Sequence, residues 1–174
     1  MFSLIEKVFT GVKILKKIKD YSQKKISMKN ILSLETIRVQ ATASSKEEAI
    51  RAAGELLVSS GCVEPGYVDS MLEREKTMST FVGNGVSIPH GEFKNLGLVN
   101  RTGISVLQVP EGVEWHPGDM AYLIVGIAAT GDEHIQVLQN LAEVVEDINT
   151  AELLSKTADP ELILEKLNRP VEEE

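Results

Sequence analysis

The stretch "MAYLIVGIAA", residues 120–129, constrains the fold more than any other part of this chain. It has no charged residue and no polar alternation, so a strand made from it must be covered on both faces. The cover follows directly in "GDEHIQVLQNLAEVVEDI", where Ile135, Leu138, Leu141, Ala142 and Val145 recur at helical spacing. A second strand is predicted in "TGISVLQV", with Pro110 and Gly112 turning the chain after it, and a third in "IRVQATA". Between the latter two, "SSKEEAIRAAGELLVSSG" reads as a helix. Ser44 or Ser45 caps it, Ala49, Ile50, Ala53, Leu56 and Leu57 point inward, and Gly61 ends it. "EPGYVDSMLEREK" reads as another helix, with Pro65 in its first turn and Val68, Met71 and Leu72 as its apolar face. Two short helices near "TAELLSKTA" and "DPELILEKL" complete the pattern. The expected fold is α/β: a mixed sheet of about five strands flanked by helices on both faces.

Length and composition fit one such domain, since 174 residues with 43% hydrophobic content suffice for a core. Its expected span is 31–168, between a basic amphipathic extension over 1–30 and an acidic tail over 169–174. The extension holds eight lysines against Glu6 and Asp20, a balance of +6, so a total of −8 leaves −14 on the remainder. An acidic body argues against nucleic-acid binding as the main activity but does not disfavour basic protein partners. Leu4, Ile5, Val8, Phe9, Val12 and Leu15 line one face of the extension. Its apolar run is too short for a membrane span, and no small-residue cleavage site follows. Three readings stand for residues 1–25: contact with an anionic membrane surface, docking on a partner, or an upstream extension of the domain. The single cysteine, Cys62, excludes an internal disulfide framework and fits a reducing cytoplasm.

The chemistry concentrates in "GNGVSIPHGE", residues 83–92. The Gly-Asn-Gly cluster suits positive φ, Val86 and Ile88 favour extended backbone, and Pro89 biases Ile88 the same way. His90 is thereby presented at a strand end. Gly91 removes a side chain beside the imidazole, so that another molecule or another backbone can approach. Arg74 lies sixteen residues earlier, at a helix end, with Glu73 and Glu75 as its charged neighbours. His134 opens the longest helix, two residues after the expected cap Asp132; a helix N-terminus favours a nearby phosphate and disfavours imidazolium. Against these stand plainer readings: a structural histidine on a strand end, a solvated arginine, a surface histidine near a cap. His116 is expected in a turn without a role, and Trp115 in packing. No GxSxG elbow, HExxH helix or GxxxxGK[ST] loop occurs, and the glycines precede a strand-like run where a dinucleotide fingerprint would open a helix. The histidines have no close metal-ligand spacing, and neither a metal nor an organic cofactor is expected.

Several motifs in order, "LEREKTMSTF", "STFVGNGVSIPHG", "VPEGVEW" and "VGIAATGDEHIQVLQNLA", resemble the enzyme IIA domain of the bacterial sugar phosphotransferase system. The resemblance runs from about Ile31 to Leu167 and is nearest to the mannitol-type branch of the mannitol/fructose family. It implies the mannitol-type IIA fold and a phosphoryl relay. In that relay, phosphohistidine of the carrier HPr donates to His90, which donates to enzyme IIB, itself working with membrane-embedded IIC. By motif, Arg74 matches the active-site arginine and His134 the second active-site histidine. The implied location is the cytoplasm, with the basic extension a candidate contact to the inner face of the membrane. Two departures are visible. Glu92 stands where mannitol-type members usually have threonine, and "GNG" also resembles the fructose and nitrogen-regulatory relatives. A regulatory phosphoprotein that signals by phosphorylation-dependent binding is the alternative function.

Overall fold

The computed structural model describes residues 31–130 and 134–168, without the side chains of 134–137 and 140. The basic extension, the acidic tail and Asp132 lie outside the described residues. The strands are β1 (Ile37–Arg38), β2 (Phe81–Gly83), β3 (Val86–Ser87), β4 (Gly103–His116) and β5 (Asp119–Ala128). They form a five-stranded mixed sheet in the order β1-β4-β5-β3-β2. β1 runs parallel to β4 and β3 parallel to β5, while β4/β5 and β2/β3 are antiparallel. The helices are α1 (Lys46–Ser59), α2 (Tyr67–Thr77), α3 (His134–Glu146), α4 (Ile148–Lys156) and α5 (Pro160–Leu167).

Alternation along the two central strands builds two cores. Leu107, Val109, Val113, Trp115, Ala121 and Ile124 pack with the inward faces of α1 and α2. Ile104, Val106, Leu123, Val125 and Ile127 point the other way, onto Leu141, Val144, Leu154, Ile163 and Leu167 of the last three helices. The uninterrupted apolar run of β5 is therefore explained by helices on both of its faces. The α1 stripe is buried as expected, and Ser45 is the N-cap, its Oγ accepting from Glu48 N–H at 3.1 Å. Gly61 follows the helix at φ 73°.

Three local expectations are corrected. Pairing of "IRVQATA" stops after Arg38, because Gln40 takes φ 54° and turns its N–H to the Gln108 side chain at 2.9 Å. Pro65 precedes α2, whose N-cap is Gly66. Pro110 and Gly112 do not end a strand; β4 continues through them to His116, with the register against β5 shifting between Gln108 and Val113. A bulge absorbs the missing proline N–H. The reversal lies instead at Pro117–Gly118, where His116 pairs with Asp119.

Candidate functional site

The His90 segment is shaped first by its turn. Asn84 and Gly85, at φ 46° and 76°, link β2 to β3 with the two positive-φ residues that match strand twist in a tight hairpin. β3 then runs beside β5, and the pairing extends to a bridge between His90 and Ile127. Ile127 N–H donates to the Pro89 carbonyl at 3.0 Å. His90 is thus held at the carboxyl end of β5, half-buried at the sheet margin.

A second set of bonds comes from α2. The Tyr67 hydroxyl accepts from Gly91 N–H at 2.9 Å and donates to the Ile127 carbonyl at 2.9 Å. Burial pushes the Tyr67 phenol above its ordinary value, outweighing the opposing Gly91 bond. One turn on, Ser70 Oγ accepts from Glu92 N–H at 2.8 Å and donates to Asn95 Oδ1 at 3.2 Å. A Cβ on residue 91 would lie 2.4 Å from Tyr67 Cε2. The close approach at Gly91 is therefore made by the protein's own Tyr67 ring.

The His90 ring is oriented by its neighbour two residues back. Its Nδ1 lies 2.9 Å from the Ile88 carbonyl oxygen. A carbonyl only accepts, so Nδ1 carries the proton and the ring lone pair sits on Nε2. Arg74 is in the last turn of α2 and, at i+7 from Tyr67 and i+4 from Ser70, shares their stripe toward the His90 loop. Its Nη1 donates to the Met78 carbonyl at 2.9 Å. His134 is the first residue of α3, which follows β5 in the chain; its side chain lies outside the described residues.

Glu75 behaves differently from its expected part as a charged neighbour of Arg74. It is 6% exposed and accepts from Thr80 and Trp115, while the exposed Glu73 pairs with Lys76 at 2.6 Å. Lys76 holds the Glu73 carboxyl below its usual range. Trp115 is buried in packing, and His116 Nε2 lies 2.6 Å from Ser79 Oγ. Cys62 is buried. Two residues after His90, Glu92 pairs with Lys94 at 2.9 Å, and hydrogen bonding and charge from Glu92 raise the Lys94 ammonium above its usual value. Tyr67, Ser70 and Glu75 are the residues that sequence reasoning missed. The i, i+3, i+7 alignment with Arg74 was the available signal for the first two.

The sequence pattern of "Phosphoenolpyruvate-dependent sugar phosphotransferase system, EIIA 2" matches residues 30–169. The chain belongs to this EIIA 2 family. The mannitol-specific phosphotransferase enzyme IIA component of Geobacillus stearothermophilus is 41% identical over 138 residues, 79% of this chain and 95% of that protein. A multiphosphoryl transfer protein of Xanthomonas campestris is 49% identical over 131 residues, 75% of this chain but 16% of that protein. The chain spans 16%, 16% and 26% of the first three curated relatives it matches, all multiphosphoryl transfer proteins. In the solved complex of mannitol enzyme IIA with phosphorylated enzyme IIB from Escherichia coli, a chain 42% identical superposes with a TM-score of 0.73, covering 78% of this chain and 96% of that one. The EIIA 2 chain thus has the mannitol IIA fold, and the family is one of phosphotransferase components. Among the described residues no helix is long and apolar enough to cross a membrane.

Proposed function

We propose that this chain is a mannitol-type IIA phosphocarrier, taking a phosphoryl group from phospho-HPr on His90 and passing it to an enzyme IIB during coupled uptake and phosphorylation of mannitol or a related hexitol. The supporting observation is the Nδ1–H bond of His90 to the Ile88 carbonyl, which leaves the ring lone pair on Nε2, the nitrogen that attacks phosphorus. Nε2 forms the new P–N bond as the P–N bond of phospho-HPr breaks, and the departing HPr imidazole leaves protonated. Transfer to IIB repeats the exchange with a cysteine thiolate as nucleophile. Arg74 neutralises the equatorial oxygens, releasing Met78 O to do so, and His134 donates a hydrogen bond beside the α3 N-terminus.

Protein-sized substrates need a landing surface, and exposed apolar side chains close to His90 and Arg74 in sequence are its candidates. Phe93 is 87% exposed, Met78 65% and Leu96 40%, flanking the nucleophile in sequence and the arginine at the other end. Such an apolar rim suits a transient protein contact. The proposed place of work is the cytoplasm, next to membrane IIC, with residues 1–25 a candidate contact to the membrane surface.

The test is incubation with enzyme I, HPr and phosphoenolpyruvate, read by intact mass, followed by addition of a mannitol-type IIB. The expected result is one phosphoryl group on the wild type, none on His90→Ala, and rapid loss of the group to IIB. A wild type that stays unmodified overturns the reading. A stable phosphoprotein that ignores IIB points to the regulatory alternative.

A further inference from the structure

The proposed relay has no use for Glu75, yet this is a buried carboxylate with donors on both oxygens. Its Oε2 accepts from Thr80 N–H at 2.8 Å and from Thr80 Oγ1–H at 2.6 Å. Its Oε1 accepts from Trp115 Nε1–H at 2.8 Å and faces Lys46 Nζ at 3.4 Å. A carboxylate is the only side chain of this size that offers acceptors alone on both arms. An amide in its place would turn an NH₂ group onto other donors.

The bonds continue from Thr80 toward the nucleophile. The Thr80 carbonyl accepts from Ile88 N–H at 2.9 Å, and the Ile88 carbonyl accepts from His90 Nδ1–H at 2.9 Å. The same 78–80 segment carries the Met78 carbonyl that receives Arg74 Nη1. One buried group therefore fixes the backbone to which both the imidazole and the guanidinium are tied.

We infer that Glu75 is a positioning residue for phosphoryl transfer, setting the placement of the 78–80 segment, and through it the Nδ1–H tautomer of His90 and the resting position of Arg74. It touches neither the phosphoryl group nor the reacting nitrogen. The inference rests on His90 as the acceptor, but its first readout does not need HPr. ¹⁵N chemical shifts of the His90 ring report the tautomer directly in the isolated protein.

The decisive comparison is wild type against Glu75→Gln, the full chain in each case, by imidazole ¹⁵N shifts and by kinetics of phosphorylation from phospho-HPr. The wild type is expected in the Nδ1–H form. Glu75→Gln is expected to show a mixture of tautomers and a kcat lower by on the order of a hundredfold, with KM nearly unchanged because the docking rim is intact. A folded Glu75→Gln protein with wild-type His90 shifts and wild-type kcat, altered only in Tm, overturns the proposal. If Glu75→Gln does not fold, Thr80→Val removes one donor alone and is judged on the same two readouts, with a smaller change in the same direction expected. Failure of the wild type to accept phosphate would remove the relay reading, whereas the ring shifts would still decide the coupling of Glu75 to His90.

Discussion

The two faces of the sheet are built by different rules. Toward α3, α4 and α5 the contact is aliphatic, with Leu154 and Ile163 at 0% exposure, and Gln108 is the main polar intruder, its Nε2 donating to the Leu154 carbonyl at 2.9 Å. Toward α1 and α2 the core is threaded with directional bonds: Ser105 to the Ala53 carbonyl, Glu75 to Thr80 and Trp115, Tyr67 to Ile127 and Gly91. Apolar packing is tolerant of small shifts, while hydrogen bonds fix direction to a few tenths of an ångström. The His90 loop is tied to the second face through Tyr67 and Ser70. Stability and placement are thus loaded on opposite sides of one sheet.

This division can be broken by substitution, and the largest effect belongs to the aliphatic face. Leu154→Ala is expected to lose about 2–5 kcal/mol in denaturant unfolding while the folded protein transfers phosphoryl at the wild-type rate. A large fall in kcat at full folding would show that the two faces are not separable. Arg74→Gln should do the reverse. It raises the transfer barrier by about 2.7–4 kcal/mol in both directions and leaves unfolding nearly unchanged, and unaltered stopped-flow kinetics would remove Arg74 from the site.

Tyr67→Phe falls between the two, because it deprives the Gly91 N–H and the Ile127 carbonyl of a partner. A loss of about 1–3 kcal/mol is expected, together with slower phosphorylation. The phenol also gives a pH signature. Its folded-state value is raised above 10.0, so the unfolded chain ionises first and binds fewer protons. The Tyr67 contribution is then complete below about pH 10 and shrinks as pH rises from there toward the folded value. Midpoints measured across that window should fall more for wild type than for Tyr67→Phe. The smallest effect is Lys94→Gln, which uncovers the Glu92 charge two residues after His90. Phosphorylation should slow at low salt only, and persistence of the difference at high salt would contradict a purely electrostatic role.

How far the sequence could be read follows the same division. The α1 stripe, the uninterrupted apolar run of β5 and the helices on both faces were legible because hydrophobic patterning records burial directly. The Asn84–Gly85 turn was legible because only a few residue types accept positive φ. His90 stood out by its Pro-His-Gly setting. The strand through Pro110 and Gly112 was not, since both residues signal a turn locally and only pairing with β5 carries the chain onward. Gly91 reads as an opening for a visitor until the Tyr67 ring, 24 positions away, is seen to fill it. Glu75 was hidden for a related reason: nothing in "EREK" tells which glutamate faces water, and its partners lie at Thr80 and Trp115.

The central claim is that the ring nitrogen aimed away from Ile88 receives the phosphate. It is tested most directly by ¹⁵N–³¹P coupling in the phosphorylated protein with ¹⁵N-labelled histidine. Coupling at Nε2 of His90, with Nδ1 still protonated, is the expected result. Coupling at Nδ1 of His90, or at any other histidine, would contradict it.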